Sequence, residues 1–132
     1  MLKNIAAWLY VVVSTGVILF QLALAAGAPW GKYAMGGAFP GQFPSALRVA
    51  AVVQAALLFG MVIVVLARAG FVFYGWARWW QIWVVVAYGV IGLILNLITP
   101  SPGERAIWAP VLLVMLISSV IVARSSATSP AL

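Results

Sequence analysis

Four apolar stretches, each about twenty residues long and almost free of charge, constrain this chain more than anything else in it. They run from about residue 5 to 26, 46 to 67, 79 to 98 and 102 to 123. At ~1.5 Å per residue a helix of this length crosses a hydrocarbon core of ~30 Å. Inside that core the backbone polar groups must be satisfied without water, which a helix does within its own segment. The expected fold class is all-α, an integral membrane bundle of four transmembrane helices forming one domain over residues 1–132, with a disordered tail at 125–132. The mean hydropathy of +1.20 agrees, and 132 residues leave room for one domain.

The first run has an alternative reading. Lys3 makes a positive start, and Ala23-Leu24-Ala25 resembles a signal-peptide cleavage site. The apolar run is longer than a usual signal core, so it is read as a retained helix.

The polar inventory excludes much chemistry. The chain has no Cys, no His and no Asp, and its one acid is Glu104. Disulfides, thiolate nucleophiles, a histidine base, paired-carboxylate hydrolysis and a metal site built from these residues all lack their components. No catalytic residue, metal site or cofactor is expected, and the chain reads as a non-enzyme. The net charge of +6 would suggest nucleic acid in a soluble protein. Here Lys3, Lys32, Arg48, Arg68, Arg78, Arg105 and Arg124 are dispersed and flank apolar runs. They suit anionic headgroups better, and no nucleic-acid partner is expected.

The stretch from Ala26 to Arg48 is the longest that cannot span. It holds five of the twelve Gly and three of the seven Pro, with Trp30, Tyr33, Phe39 and Phe43 interleaved. This predicts an irregular loop anchored by aromatic rings at the membrane surface. Ser45 is a candidate N-cap for the second helix. Arg48 then falls in its first turn, where the helix dipole disfavours a cation and some compensating partner is expected. Phe71, Phe73, Tyr74, Trp76, Trp79, Trp80 and Trp83, between and beyond Arg68 and Arg78, read as an interfacial belt. Ser101-Pro102-Gly103-Glu104 predicts a capping box opening the fourth helix, in which Pro110 is expected to kink the axis.

With four spans, Lys3, Arg68, Arg78 and Arg124 share one side, against Lys32, Arg48 and Arg105 with Glu104 on the other. The positive-inside rule then puts both termini in the cytoplasm. Gln21, Gln54 and Asn96 all fall toward the 26–48 loop end of their helices, by counting ~1.5 Å per residue. Helical spacing lines up Tyr10, Ser14, Gln21 and Ala25 on the first helix. It lines up Ala50, Gln54, Leu58 and Met61 on the second, and Gln81, Val85, Gly89, Gly92 and Asn96 on the third. Gly89 and Gly92 permit close helix approach.

Such amides either hold helices together, at ~0.6–2 kcal/mol each, or line a pocket or a subunit contact. The candidate ligand-binding set is therefore Gln21, Gln54, Asn96, Arg48, Glu104, Arg105, Tyr33 and Trp30, with an Arg48–Glu104 ion pair joining the loops. The leading function is a binding or scaffold module for a lipid-like ligand or a partner helix in the lipid bilayer. The alternative is a subunit of an oligomeric channel or transporter, since one such bundle is too small for a wide aqueous path. A lipid-directed enzyme would depend on Glu104, with Tyr33 or Lys32.

The motifs AGAPWG at 26–31 and NLITPSPGERAIWAP at 96–110 resemble an uncharacterised group of small four-helix bacterial integral membrane proteins. That resemblance implies the four-span fold and a bacterial inner (plasma) membrane location, and carries over no catalytic residues. Small multidrug exporters have an acid within the first span and quinone-linked thiol oxidoreductases have Cys, so the chain fits neither.

Overall fold

The computed structural model describes residues 1–73 and 75–125. Four helices carry the fold: α1 (Leu2–Ala26), α2 (Ser45–Ala69), α3 (Trp79–Ile98) and α4 (Pro102–Ala123). All four are long and apolar enough to cross a membrane, and the described residues include no strand. The chain is an all-helical multi-pass membrane protein. Tyr74 and residues 126–132, where part of the aromatic belt and most of the expected disordered tail fall, lie outside the described residues.

Local chemistry sets the helix ends. α1 and α2 each close on a left-handed glycine, Gly27 (φ 107°) and Gly70 (φ 92°). In each case the glycine N–H and the next N–H fold back onto the last turn: Ala28 N donates to Ala23 O at 2.9 Å, and Phe71 N to Leu66 O at 2.9 Å. This is the double closure that satisfies carbonyls left free at a helix end. The start of α2 corrects the expectation for Ser45. Pro44 is the N-cap, its carbonyl accepting from Arg48 N at 3.1 Å, and Ser45 is already helical with no capping bond. Proline's fixed φ sets the entry angle without a side-chain cap. α4 runs through Pro110 as one helix.

The helices pack as two sequential hairpins. α1 lies along α2, α3 lies along α4, and α1 and α4 form the seam between the pairs; α2 and α3 meet little. One core cluster drawn from all four helices buries Ala6, Ala7, Tyr10, Leu58, Val65, Ile82, Val85, Met115 and Val122. A Cβ on Gly89 would sit 3.4 Å from the Leu116 side chain, and one on Gly92 3.6 Å from Leu112. Both glycines therefore bring α3 against α4, as their spacing suggests. Val12, Leu19, Val49, Phe59, Ile91 and Ile98 remain exposed, the surface a bilayer would cover. Trp79, Trp80 and Trp83 stand out at the other end of α3, while Phe71 packs edge-on to Trp8 with ring centroids 5.2 Å apart.

Candidate functional site

The 27–44 loop, expected to be irregular, contains two short 3-10 turns, Gly31–Tyr33 and Met35–Gly37. Gly31 is buried at its centre. Its N–H donates to Gly41 O at 2.9 Å, and a Cβ there would lie 1.9 Å from Phe39 O. Only glycine lets these strands of loop approach so closely.

This loop is docked onto the start of α4. The Ser101 hydroxyl accepts from Glu104 N at 3.2 Å, the expected N-cap, and donates to Lys32 O at 2.8 Å. Trp108 Nε1 donates to Tyr33 O at 2.8 Å. The Tyr33 ring lies against Gly103, where a Cβ would come within 2.6 Å of it. Phe20 of α1 joins them, 4.6 Å from the Trp108 ring and 6.2 Å from Trp30 by centroid.

Glu104 departs from two expectations. Its carboxylate does not complete the capping box, because Ser101 N donates instead to Thr99 Oγ1 at 3.3 Å. Nor does it pair with Arg48. Glu104 Oε2 accepts from Gly36 N at 2.9 Å, crossing from α4 to the loop. Arg48 Nε donates to Phe43 O at 2.8 Å, and its guanidinium covers Gly27, close enough that a Cβ there would be 3.5 Å from Nη1. The cation that looks misplaced at the start of α2 thus faces the end of α1, where the dipole is negative. Arg68 does the same at the other end of the molecule, donating to Ala123 O at 3.2 Å and Ser125 O at 3.0 Å beyond α4.

Beneath the loop lies a cavity of about 680 Å³. It occupies the gap left where α2 and α3 diverge, roofed by Tyr33–Gly36 and backed by α1 and α4. Gln21, Gln54, Asn96, Glu104 and Tyr33 of the expected set all line it. Trp30, Arg48 and Arg105 do not. Arg48 acts on the cavity through Phe43, a buried wall residue, and Arg105 through Thr99, whose carbonyl accepts from its guanidinium at 2.9 Å. Trp30 lies outside against Phe20.

The amides do not bond to one another. Gln54 Nε2 donates to the Tyr88 hydroxyl, the one side-chain hydrogen bond between α2 and α3 among the described residues. Asn96 Nδ2 donates to its own helix at Gly92 O, 2.8 Å away. Gln21 has no hydrogen-bond partner among the described residues. Tyr88, Trp108, Phe43 and Gly36 were not in the expected set. A tyrosine at the α3 position facing Gln54 was findable from helical spacing, since Tyr88 precedes Asn96 by eight residues. Gly36 was not, because its role is a backbone N–H.

Below the cavity the seam is polar in places. Ser14, Ser118 and Ser119 are almost fully buried, and Ser14 Oγ, Asn4 Oδ1 and Arg68 Nε are buried without a hydrogen bond among the described residues. No group of three His, Cys, Asp or Glu residues among the described residues could hold a metal.

Fold and site together define a multi-pass helical membrane protein with a largely apolar cavity, carrying a few polar groups, at the loop end of its bundle. Comparison with known proteins finds no family model, no curated protein and no solved structure that matches the chain.

Proposed function

We propose that this protein is a non-enzymatic membrane binding protein that holds a lipid-like ligand in the cavity between α2 and α3. The observation that carries this reading is the convergence of Gln21, Gln54, Asn96 and Glu104, one from each of the four helices, on an otherwise apolar space. Polar groups in a span are costly and concentrate where they are used. If the amides served only to join helices they would bond across helices; only Gln54 does so. The volume falls within the ~300–1,000 Å³ of small-molecule sites, and a lipid-like ligand fits an apolar wall with a few polar groups at one end better than a partner helix does.

The cation distribution supports placing both termini in the cytoplasm and the docked loop outside, and the resemblance of the loop motifs is what favours a bacterial inner membrane. The deciding experiment is native mass spectrometry of the protein released gently from its own membrane. A defined lipid-like mass retained by the wild type, and lost when Gln21, Gln54 and Asn96 are replaced together by Leu, is the expected result. Retention unchanged in the triple variant would overturn the site.

A further inference from the structure

We propose that the cavity selects a single-chain lipid whose head donates a hydrogen bond and carries no negative charge, such as a long-chain alcohol or a glycerol monoester. The inference rests on the cavity being a ligand site. It follows from charge. Among the described residues Glu104 is the only charged one on the wall, and at 8% exposure it is held in place by the walls around it. Its Oε2 is taken by Gly36 N. Its other oxygen accepts nothing within the described chain, and so presents an acceptor to the cavity.

Among the described residues no cation pairs with it. All three basic residues at this end turn elsewhere. Arg48 binds Phe43 O over Gly27, Arg105 binds Thr99 O, and Lys32 Nζ sits 4.9 Å over the Tyr33 ring. A phosphate or carboxylate head would therefore meet a like charge in a low-dielectric space with no counter-ion, which is strongly unfavourable. A hydroxyl would instead donate to Glu104, and the unpartnered Gln21 amide is available to the same head.

The exit for the chain is lateral. The α3 wall residues Ile91, Leu95 and Ile98 are 60%, 57% and 70% exposed. The cavity therefore opens between α2 and α3 toward the surface that faces the bilayer. An acyl or prenyl tail can leave by that cleft while its head stays at Glu104.

The test uses oleyl alcohol and oleyl phosphate, which share a chain and differ in the head, bound to the full-length protein in mild detergent and read by native mass spectrometry. The expected result is at least a tenfold preference for the alcohol, with Glu104→Gln narrowing it to about threefold or less. The amide of that variant can keep the Gly36 bond through its oxygen while offering a donor to phosphate, so the fold is retained; an unchanged melting curve verifies this. Equal or tighter binding of the phosphate by the wild type overturns the selectivity and leaves the site standing. A preference unchanged in Glu104→Gln overturns the role of Glu104. Binding of neither probe overturns the selectivity together with the ligand site beneath it.

Discussion

Glu104 Oε2 accepts a hydrogen bond from Gly36 N at 2.9 Å, joining the only acid of the chain to a backbone group 68 positions earlier. The bond makes the loop part of the cavity wall instead of a free connection. Removing it in Glu104→Ala leaves a half-buried donor unpaired, at about 1–3 kcal/mol. Hydrogen exchange is expected to accelerate across residues 31–37, with the cores of α1 and α2 unchanged. Equal protection of the loop in variant and wild type would show that the bond does not hold it.

Gly31→Ala is expected to disrupt the loop outright, because the new methyl would overlap Phe39 O. Overpacking of this kind costs about 1–3 kcal/mol or more. Gly16→Ala and Gly60→Ala serve as controls, since nothing lies within 4 Å of a Cβ at either position. Both are expected to be neutral or to stabilise by about 0.5–1 kcal/mol, as alanine replaces glycine within a helix. Thermal unfolding in detergent distinguishes the two groups.

Ser14→Ala removes a buried hydroxyl that makes no well-formed hydrogen bond among the described residues. Stability is expected to stay level or to rise by roughly 1 kcal/mol, because an unsatisfied polar group is lost. Tyr88→Phe, by contrast, strips the α2–α3 hydrogen bond and strands Gln54. A fall of about 0.6–2 kcal/mol is expected there. Unfolding in graded detergent mixtures measures both, and the opposite ordering would contradict the polar assignments.

Replacing Arg48 by Gln takes a cation from the end of α1 and weakens the hold on Phe43 O. The expected loss is about 0.3–2 kcal/mol, from the helix-end charge effect. The same exchange at Arg68 should fray the end of α4, where its guanidinium meets Ala123 O and Ser125 O. Hydrogen exchange at residues 23–27 and 120–125 reports each separately. Fraying at neither end would mean that solvent or headgroups replace both arginines without loss.

A chain without Cys lends itself to site-directed labelling. Lys32→Cys is expected to react with a membrane-impermeant maleimide applied outside intact cells, and Ser125→Cys only after lysis. The reverse pattern would invert the topology.

Much of the architecture is legible in the sequence because the bilayer leaves a chain so few options. Runs of twenty apolar residues must be helices, and Gly89 and Gly92 mark the tight seam with α4. Gln21, Gln54 and Asn96 were placed at one end by counting residues, and the cavity does gather them. What was illegible depends on groups far apart in the chain. Glu104 looked like a capping residue or a partner for Arg48, since sequence pairs charge with charge. It binds instead the backbone N–H of Gly36, a donor that no side chain marks in the sequence. Arg48 found its counterpart in the end of a helix, which has no signature in side chains. The divergence of α2 from α3, which makes the cavity, follows from how two hairpins meet and not from either one.

That hairpin arrangement fixes an order of assembly. α1 and α2 can pair as soon as both have been made, but the 27–44 loop finds Ser101, Glu104 and Trp108 only when the start of α4 arrives. Until then the loop is held to α1 and α2 through Phe43, packed against Leu24 and Ala51, and the cavity lacks the Glu104, Trp108 and Leu112 part of its wall. The cavity is thus the last part of the molecule to close. A chain interrupted before α4 would keep Gln21 and Gln54 in an inserted helical pair with no enclosed cavity for them to line.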